Sequence, residues 1–118
     1  MEKFGEVFDI MASESGNKMC VDCMKPYPLY ASINNGVFLC ETCADIHKGY
    51  GSNISYVKPL KSEWDEYLLS YIRRGGNSRF REFLKEYDII EDADAYYKYR
   101  TMAVENYREI VKIILITK

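Results

Sequence analysis

The sequence is poor in several features that would assign it to a special class of protein. It has only 3 prolines, 1 tryptophan and 1 histidine among 118 residues, whereas 47% of its residues are hydrophobic and 29% are charged. This composition excludes a wholly disordered chain and a collagen-like one. No apolar run approaches the roughly 20 residues of a membrane-spanning helix. Residues 1–6 also lack the basic start and apolar run of a signal peptide. We therefore expect one soluble domain from the reducing, cytoplasmic compartment.

The sequence also lacks an excess of positive charge. Its 16 Lys and Arg residues face 18 Asp and Glu residues, which gives a net charge of −2. A protein that binds nucleic acid through its phosphate groups usually presents a basic surface. We therefore expect no nucleic-acid partner.

Four cysteines form two Cys-x2-Cys pairs. Cys20 pairs with Cys23 and Cys40 with Cys43, and 16 residues separate the pairs. A disulfide scaffold is typical of secreted proteins, and a thioredoxin-like site needs only one such pair. Two pairs at this separation indicate a tetrahedral zinc site, with iron as the alternative because thiolates also bind iron. Since four thiolates leave no open position, the ion is expected to be structural.

The hydrophobic pattern predicts an α+β fold, with a small three-stranded sheet and one four-cysteine zinc site flanked by helices. Apolar residues at helical spacing predict a helix over residues 4–13 and a buried Trp64 at the head of a later one. Asn34-Asn35-Gly36 is a hairpin turn signal between two short strands. The elements predicted after the first helix are strands at 29–33, 37–39 and 54–57 and helices at 41–48, 64–74, 80–87 and 92–116, the last one long helix or two short ones. We expect one domain over residues 1–118, with a zinc module at about 17–60 and a helical part at about 61–118.

The residues around the cysteines carry a family resemblance. Asn17-Lys18-Met19-Cys20-Val21-Asp22-Cys23, the 16-residue gap and Gly36-Val37-Phe38-Leu39-Cys40-Glu41-Thr42-Cys43 resemble the Arf GTPase-activating protein (Arf GAP) domain. The resemblance continues in the same order along nearly the whole chain, through residues 31–34, 46–47, 54–55 and 57, the Trp64 helix, 76–77 and 97–100. It implies a small sheet flanked by helices around one zinc ion. It also implies an activity, the stimulation of GTP hydrolysis by Arf small GTPases on membrane-traffic pathways.

The resemblance implies a catalytic role for the fifth position after the last zinc cysteine. There the family inserts an arginine toward the nucleotide, and such a finger accelerates hydrolysis in GTPases by about 10³ to 10⁵. In this sequence the position holds Lys48. A lysine keeps the positive charge but lacks the planar fork that donates two hydrogen bonds at once. We therefore expect weak activation in trans, by a chain that is not itself an enzyme.

The resemblance also implies a partner surface that includes Tyr30, Ile46 and His47, with Tyr30 standing where the family has a tryptophan. The expected partner is an Arf-family GTPase in its GTP form, met at Golgi or other trafficking membranes, with membrane contact through other regions. Tyr30 could instead fill the core of the sheet. His47 lies four residues after Cys43, so it could be a zinc ligand, but four cysteines already complete the site, and such a histidine is more often a packing or interface residue.

Two other functions compete with GTPase activation. The first is an Arf GAP-like module that binds its partner without stimulating hydrolysis, which needs the same surface. The second is a nucleic-acid-binding zinc finger of the GATA type, which also uses paired Cys-x2-Cys motifs but needs a basic recognition helix and tail. The stretch after Cys43 offers only His47 and Lys48, which disfavours the second.

Overall fold

The structure, a computed structural model, describes residues 4–89 and 95–117. Its elements in chain order are α1 (Phe4–Ala12), a short 3-10 helix (Ser15–Lys18), β1 (Tyr30–Ser32), β2 (Val37–Leu39), α2 (Glu41–Lys48), β3 (Val57–Pro59), α3 (Glu66–Arg74), α4 (Asn77–Glu86), α5 (Ala95–Lys98) and α6 (Met102–Thr117). The predicted fold class is confirmed, because three strands form one sheet and helices surround it.

The sheet is antiparallel throughout, with the strand order β2-β1-β3. Ala31 at the centre of β1 lies opposite Phe38 of β2 and Lys58 of β3. The predicted turn joins β1 to β2, where the amide of Gly36 donates to the carbonyl of Ile33 at 3.0 Å. Gly36 has φ of 66°, a left-handed conformation that glycine adopts without steric cost. The turn signal therefore fixes the position of the hairpin.

The third strand is displaced from its predicted position. The prediction placed it at residues 54–57, but β3 covers Val57–Pro59. The amides of Ile54 and Ser55 both donate to the carbonyl of Gly51, at 3.1 and 2.9 Å, so these residues belong to a turn. The alternation of apolar and polar residues does not mark the two faces of a strand here, because the polar Ser55 is buried and the neighbouring Tyr56 is exposed.

A close backbone approach joins the end of α3 to the hairpin. The amide of Gly76 donates to the carbonyl of Gly36 at 2.7 Å. A β-carbon added at Gly75 would lie 2.8 Å from that same carbonyl oxygen, closer than any side chain permits. Glycine at position 75 is therefore required by this contact, in addition to ending the helix.

Asn77 connects three parts of the chain at the start of α4. Its Oδ1 accepts from the amide of Phe38 at 2.8 Å, and its Nδ2 donates to the carbonyls of Gly16 and Met19 at 3.0 and 2.7 Å. Asn77 is completely buried, so these bonds replace the water that its amide loses. This side chain holds β2 and the segment that leads to Cys20 against the helical part.

The C-terminal segment forms two helices, which was one of the two predicted arrangements. α5 ends at Lys98, and the hydroxyl of Thr101 accepts from the amide of Val104 at 3.1 Å at the beginning of α6. Residues 92–94 of the predicted helix lie outside the described residues, as do the side chains of residues 113–116, whose packing was also predicted.

Trp64 is a buried core residue, as predicted, with 1% of its surface exposed. Its Nε1 donates to the carbonyls of Pro59 and Leu60 at 3.2 and 3.1 Å, and Lys58 Nζ lies 5.5 Å from its ring centroid. Because Asp65 caps α3 by accepting from the amide of Leu68 at 2.8 Å, the helix begins at Glu66 and Trp64 precedes it. The indole thus packs the end of β3 against the helical part.

Trp64→Ala is expected to lower the free energy of unfolding by about 3–5 kcal/mol, because it leaves a cavity and deletes a large buried apolar surface. Equilibrium urea unfolding measures this change. Met102→Ala, at an exposed position, is the control and should alter the stability by less than about 0.5 kcal/mol. Equal stabilities of the two variants would contradict the core role of Trp64.

Candidate functional site

The sulfur atoms of Cys20, Cys23, Cys40 and Cys43 lie within 4.8 Å of one another. The Sγ atoms of Cys23 and Cys40 are 3.6 Å apart, and all four cysteines are free thiols. Zinc–sulfur bonds of about 2.3 Å in a tetrahedron place the sulfurs about 3.8 Å from each other. The cluster is therefore compact enough for one ion with four thiolate ligands, and it fits the predicted metal site.

The backbone near each pair of cysteines orients the sulfurs. In the first pair the amide of Cys20 donates to the carbonyl of Lys25, and the amide of Met24 donates back to the carbonyl of Cys20, at 2.8 and 2.9 Å. In the second pair Cys40 precedes α2 and its Sγ accepts from the amide of Cys43 at 3.4 Å. The second pair thus stands at the first turn of α2, so an ion bound there would be coupled to the position of the helix.

Burial makes isolated thiolates unfavourable at Cys20 and Cys43. It raises the pKa of Cys20, and burial together with the charge of Cys20 raises the pKa of Cys43. A metal ion reverses this preference because a coordinating thiol loses its proton. The chemistry of the donor set therefore agrees with its geometry.

A chain of hydrogen bonds, largely buried, runs from Asp22, which lies between the first two cysteines, to Asn35 in the hairpin turn. His47 Nε2 lies 2.7 Å from Asp22 Oδ2, and His47 Nδ1 lies 2.7 Å from Ser55 Oγ. Ser55 Oγ in turn lies 2.7 Å from Ser32 Oγ, and Asn35 Nδ2 donates to Ser32 Oγ at 2.8 Å. We call these five residues the polar chain. It ties the loop between Cys20 and Cys23 to α2, β1 and the hairpin.

Asp22 also receives two contacts from the C-terminal half of the protein. Its Oδ1 accepts from the hydroxyl of Tyr99 at 2.7 Å and lies 3.4 Å from Lys98 Nζ. Burial alone would raise the pKa of Asp22, but the hydrogen bond and charge of His47 and the charge of Lys98 outweigh it and lower that pKa. Burial and the carboxylate of Asp22 hold the pKa of Tyr99 well above its usual value, so its phenol keeps the proton that it donates.

The structure corrects the prediction for His47. Its side chain is 0% exposed, so it offers no surface to a partner. Both ring nitrogens lie at hydrogen-bond distance from Asp22 and Ser55, so the ring is not a metal ligand. It occupies the packing role that the sequence left open, on the buried side of α2 and within the polar chain.

Tyr99→Phe is expected to lower the free energy of unfolding by about 1.5–3 kcal/mol, because it removes a buried hydrogen bond to a carboxylate. Chemical denaturation of the two proteins measures the difference. Tyr97→Phe is a matched control, since Tyr97 is exposed two residues away, and it should leave the stability unchanged. A Tyr99→Phe variant as stable as its control would show that the contact with Asp22 contributes nothing.

Lys48 is the last residue of α2, and its side chain is 54% exposed. Its Nζ lies 5.3 Å from the ring centroid of Tyr30 and 3.6 Å from Asp45 Oδ1. Tyr30 is half-buried, and it packs against the hydrophobic core as well as lying beside the lysine. Ile46, two residues earlier, is 50% exposed. Of the predicted catalytic and partner-binding residues, the structure therefore brings Lys48 and Tyr30 into contact and leaves Ile46 exposed on the same helix.

The loop that follows Lys48 is held by the hairpin. Asn34 Nδ2 donates to the carbonyls of Ser52 and Asn53, each at 3.2 Å, and Asn34 Oδ1 accepts from the amide of Tyr56 at 2.8 Å. Asn35 Nδ2 donates to the carbonyl of Ile54 at 2.8 Å. The two turn asparagines thus have a second role that the sequence did not reveal, because the loop residues they bind lie 18 or more positions away.

None of the helices in the described part of the chain is long and apolar enough to cross a membrane. This finding agrees with the absence of a long apolar run in the sequence.

Comparison with known proteins identifies the family. Residues 5–113 match the ArfGap family, described as "Putative GTPase activating protein for Arf". Mouse ADP-ribosylation factor GTPase-activating protein 3 is 34% identical over 92% of this chain, and yeast (Saccharomyces cerevisiae) ADP-ribosylation factor GTPase-activating protein GCS1 is 34% identical over 79%. The chain spans 21% and 27% of the lengths of these two relatives.

A solved structure shares the fold. The "putative GTPase activating protein for ADP ribosylation factor" from Cryptosporidium parvum superimposes with a TM-score of 0.85 at 23% identity, over 95% of this chain and 90% of that one. The family match covers the cysteine cluster, α2 and the helical part together. The chain belongs to the Arf GAP family.

Proposed function

We propose that this domain promotes GTP hydrolysis by an Arf-family GTPase, with Lys48 acting in trans on the bound nucleotide. The observation that carries the proposal is the exposed ammonium group of Lys48 at the end of α2, five residues after Cys43. A cation delivered to the phosphates stabilises the charge that develops on the transferred phosphoryl group. The protein is then an activator of a partner enzyme.

Zinc is the ion that we propose for the four cysteines, because a closed set of four thiolates at these separations is typical of structural zinc. When bound, the ion supplies no chemistry to the reaction and serves as a cross-link. Cys40 and Cys43 fix the first turn of α2, and the helix carries Lys48 at its other end. The cysteines therefore act as positioning residues for Lys48.

The proposed partner surface is the exposed face near the end of α2. Lys48 provides charge and Ile46 provides an apolar contact, while the ring of Tyr30 contacts the ammonium group of Lys48. The phosphates that Lys48 would approach are complete only in the GTP form, so that form is the proposed partner. A setting in the cytoplasm at Golgi or other trafficking membranes follows from the family alone, with membrane contact through other regions.

A module that binds without stimulating hydrolysis is the second candidate. It is favoured by the Asp45 carboxylate, which pairs with Lys48, and by the lack of a guanidinium fork at this position. Both candidates use the same surface, so binding alone does not distinguish them.

The proposal is tested by adding the domain to a panel of GTP-loaded Arf proteins and measuring both single-turnover hydrolysis and binding. We expect at least one Arf protein to bind and to hydrolyse GTP faster than it does alone. Binding without acceleration would favour the second candidate, and neither effect with any Arf protein would refute the partner class.

A further inference from the structure

A polar cavity opens beside the loop that follows Lys48. It has a volume of about 310 Å³, within the range of small-ligand pockets. The hairpin and that loop form one wall, and α6 forms another with two cations and one acid. Its lining includes the side chains of Asn34, Ser52, Asn53, Arg108, Glu109 and Lys112.

Arg108 is half-buried at the edge of this cavity, and only some of its hydrogen-bond donors have an acceptor. Its Nη1 donates to Asn35 Oδ1 at 3.0 Å and to the carbonyl of Tyr99 at 3.2 Å. Its Nε and Nη2 have no acceptor among the residues that the structure describes. Burial lowers the pKa of Arg108, against the opposing charges of Glu105 and Glu109, yet a guanidinium remains charged in proteins. The two bonds fix the plane of the group and leave a fixed pair of donors for a ligand.

Lys112 lies one helical turn after Arg108 and supplies a second cation to the cavity. It is exposed and forms no ion pair within the described parts of the chain. Ser52 and Asn53 add a hydroxyl and an amide that can donate, whereas Glu109 is the one acid among the lining residues that the structure describes, and it opposes an anion.

We propose that this cavity binds a phosphate ester, with Arg108 and Lys112 as its principal ligands. A phosphate monoester carries nearly two negative charges and three acceptor oxygens, which match a guanidinium, an ammonium and a hydroxyl donor. The volume leaves room for the sugar or polyol that bears the phosphate. The ester is either a soluble phosphorylated polyol or the headgroup of a phosphoinositide, and the test separates these sources. The site does not depend on GTPase activation.

Binding is measured by calorimetry with inositol trisphosphate and with inorganic phosphate, and by sedimentation with phosphatidylcholine vesicles that contain or lack a phosphoinositide. Lys112→Ala is expected to weaken binding about tenfold, as for the loss of one charge-assisted hydrogen bond. Glu109→Gln is expected to strengthen it, a gain that a folding defect cannot produce. Lys85→Ala makes the same charge change at an exposed position of α4 and is expected to have no effect.

Binding of inositol trisphosphate in solution would support a soluble ester, and binding only to phosphoinositide vesicles would support a lipid headgroup. Equal weakening by Lys112→Ala and Lys85→Ala would overturn the site, because it would show that the ligand binds by general electrostatic attraction and not in this cavity. Failure of every probe to bind at low ionic strength would also overturn it. GTP hydrolysis is not measured in any arm, so failure here leaves the proposed activator function untouched.

Discussion

Removal of the metal ion is expected to abolish cooperative unfolding. Structural zinc contributes about 10–16 kcal/mol of apparent binding free energy, and domains of ordinary stability have only about 5–15 kcal/mol in total. An ion held by all four cysteines would join the segment before β1 to the first turn of α2, so its loss would separate two parts of a small core. Thermal unfolding followed by circular dichroism, with and without a strong chelator, measures the effect. Elemental analysis is expected to find one zinc per chain.

Cys40→Ala is expected to reproduce the effect of the chelator. Zinc added after chelation should restore the transition of the wild-type protein but not that of the variant, which separates loss of metal from irreversible damage. Iron in the elemental analysis would correct the identity of the ion. A metal-free protein with an unchanged melting temperature would contradict a structural role for the site.

Lys48→Arg is expected to raise the rate of GTP hydrolysis at saturating activator by roughly one to two orders of magnitude. The arginine adds a second charge-assisted hydrogen bond to the phosphoryl group, worth about 1.5–3 kcal/mol, and each 1.36 kcal/mol changes a rate about tenfold. Because the added bond forms mainly in the transition state, the rate should change more than the affinity for the GTPase. The measurement is a series of single-turnover rates against activator concentration.

Lys61→Arg is the matched control for this prediction. Lys61 is exposed and lies outside α2, so the same exchange there should leave the rate unchanged. An equal gain in both variants would point to general attraction between the proteins. No gain at Lys48 would show that the fork is not used.

The parts of the molecule that depend on local chemistry were predicted from the sequence. The spacing of the cysteines predicted a cluster that the structure shows within 4.8 Å. The turn signal at Asn34-Asn35-Gly36 predicted the hairpin, because its conformation depends on a glycine with positive φ. Trp64 was predicted to be buried, since a large apolar ring has few favourable places outside a core.

The parts that depend on contacts between distant segments were not predicted. Asp22 and His47 are 25 positions apart and Asp22 and Tyr99 are 77 apart, and no periodicity relates them. Because the sequence does not reveal these contacts, it predicts His47 on a partner surface. A histidine close to a metal site is also often buried, and that is where the structure places His47. The third strand was misplaced for a similar reason, because bonds to Gly51 turn the chain at Ile54 and Ser55.

The contact between Tyr30 and Lys48 was predicted only in part. The sequence offered two roles for Tyr30, support of the lysine and filling of the core. In the structure its ring lies 5.3 Å from the ammonium group and also packs against the core. An aromatic face attracts a cation at this distance. The orientation of Lys48 is therefore a property of the fold as well as of its position after Cys43.

The most direct test of Lys48 as the group that acts on GTP compares the wild-type domain with Lys48→Ala at saturating concentration. Single-turnover hydrolysis is measured with an Arf protein that binds the domain, and affinity is measured in parallel. We expect the wild type to exceed the intrinsic rate of the GTPase and Lys48→Ala to fall back to that rate while it still binds. A Lys48→Ala variant that binds and accelerates hydrolysis as well as the wild type would contradict the role proposed for Lys48.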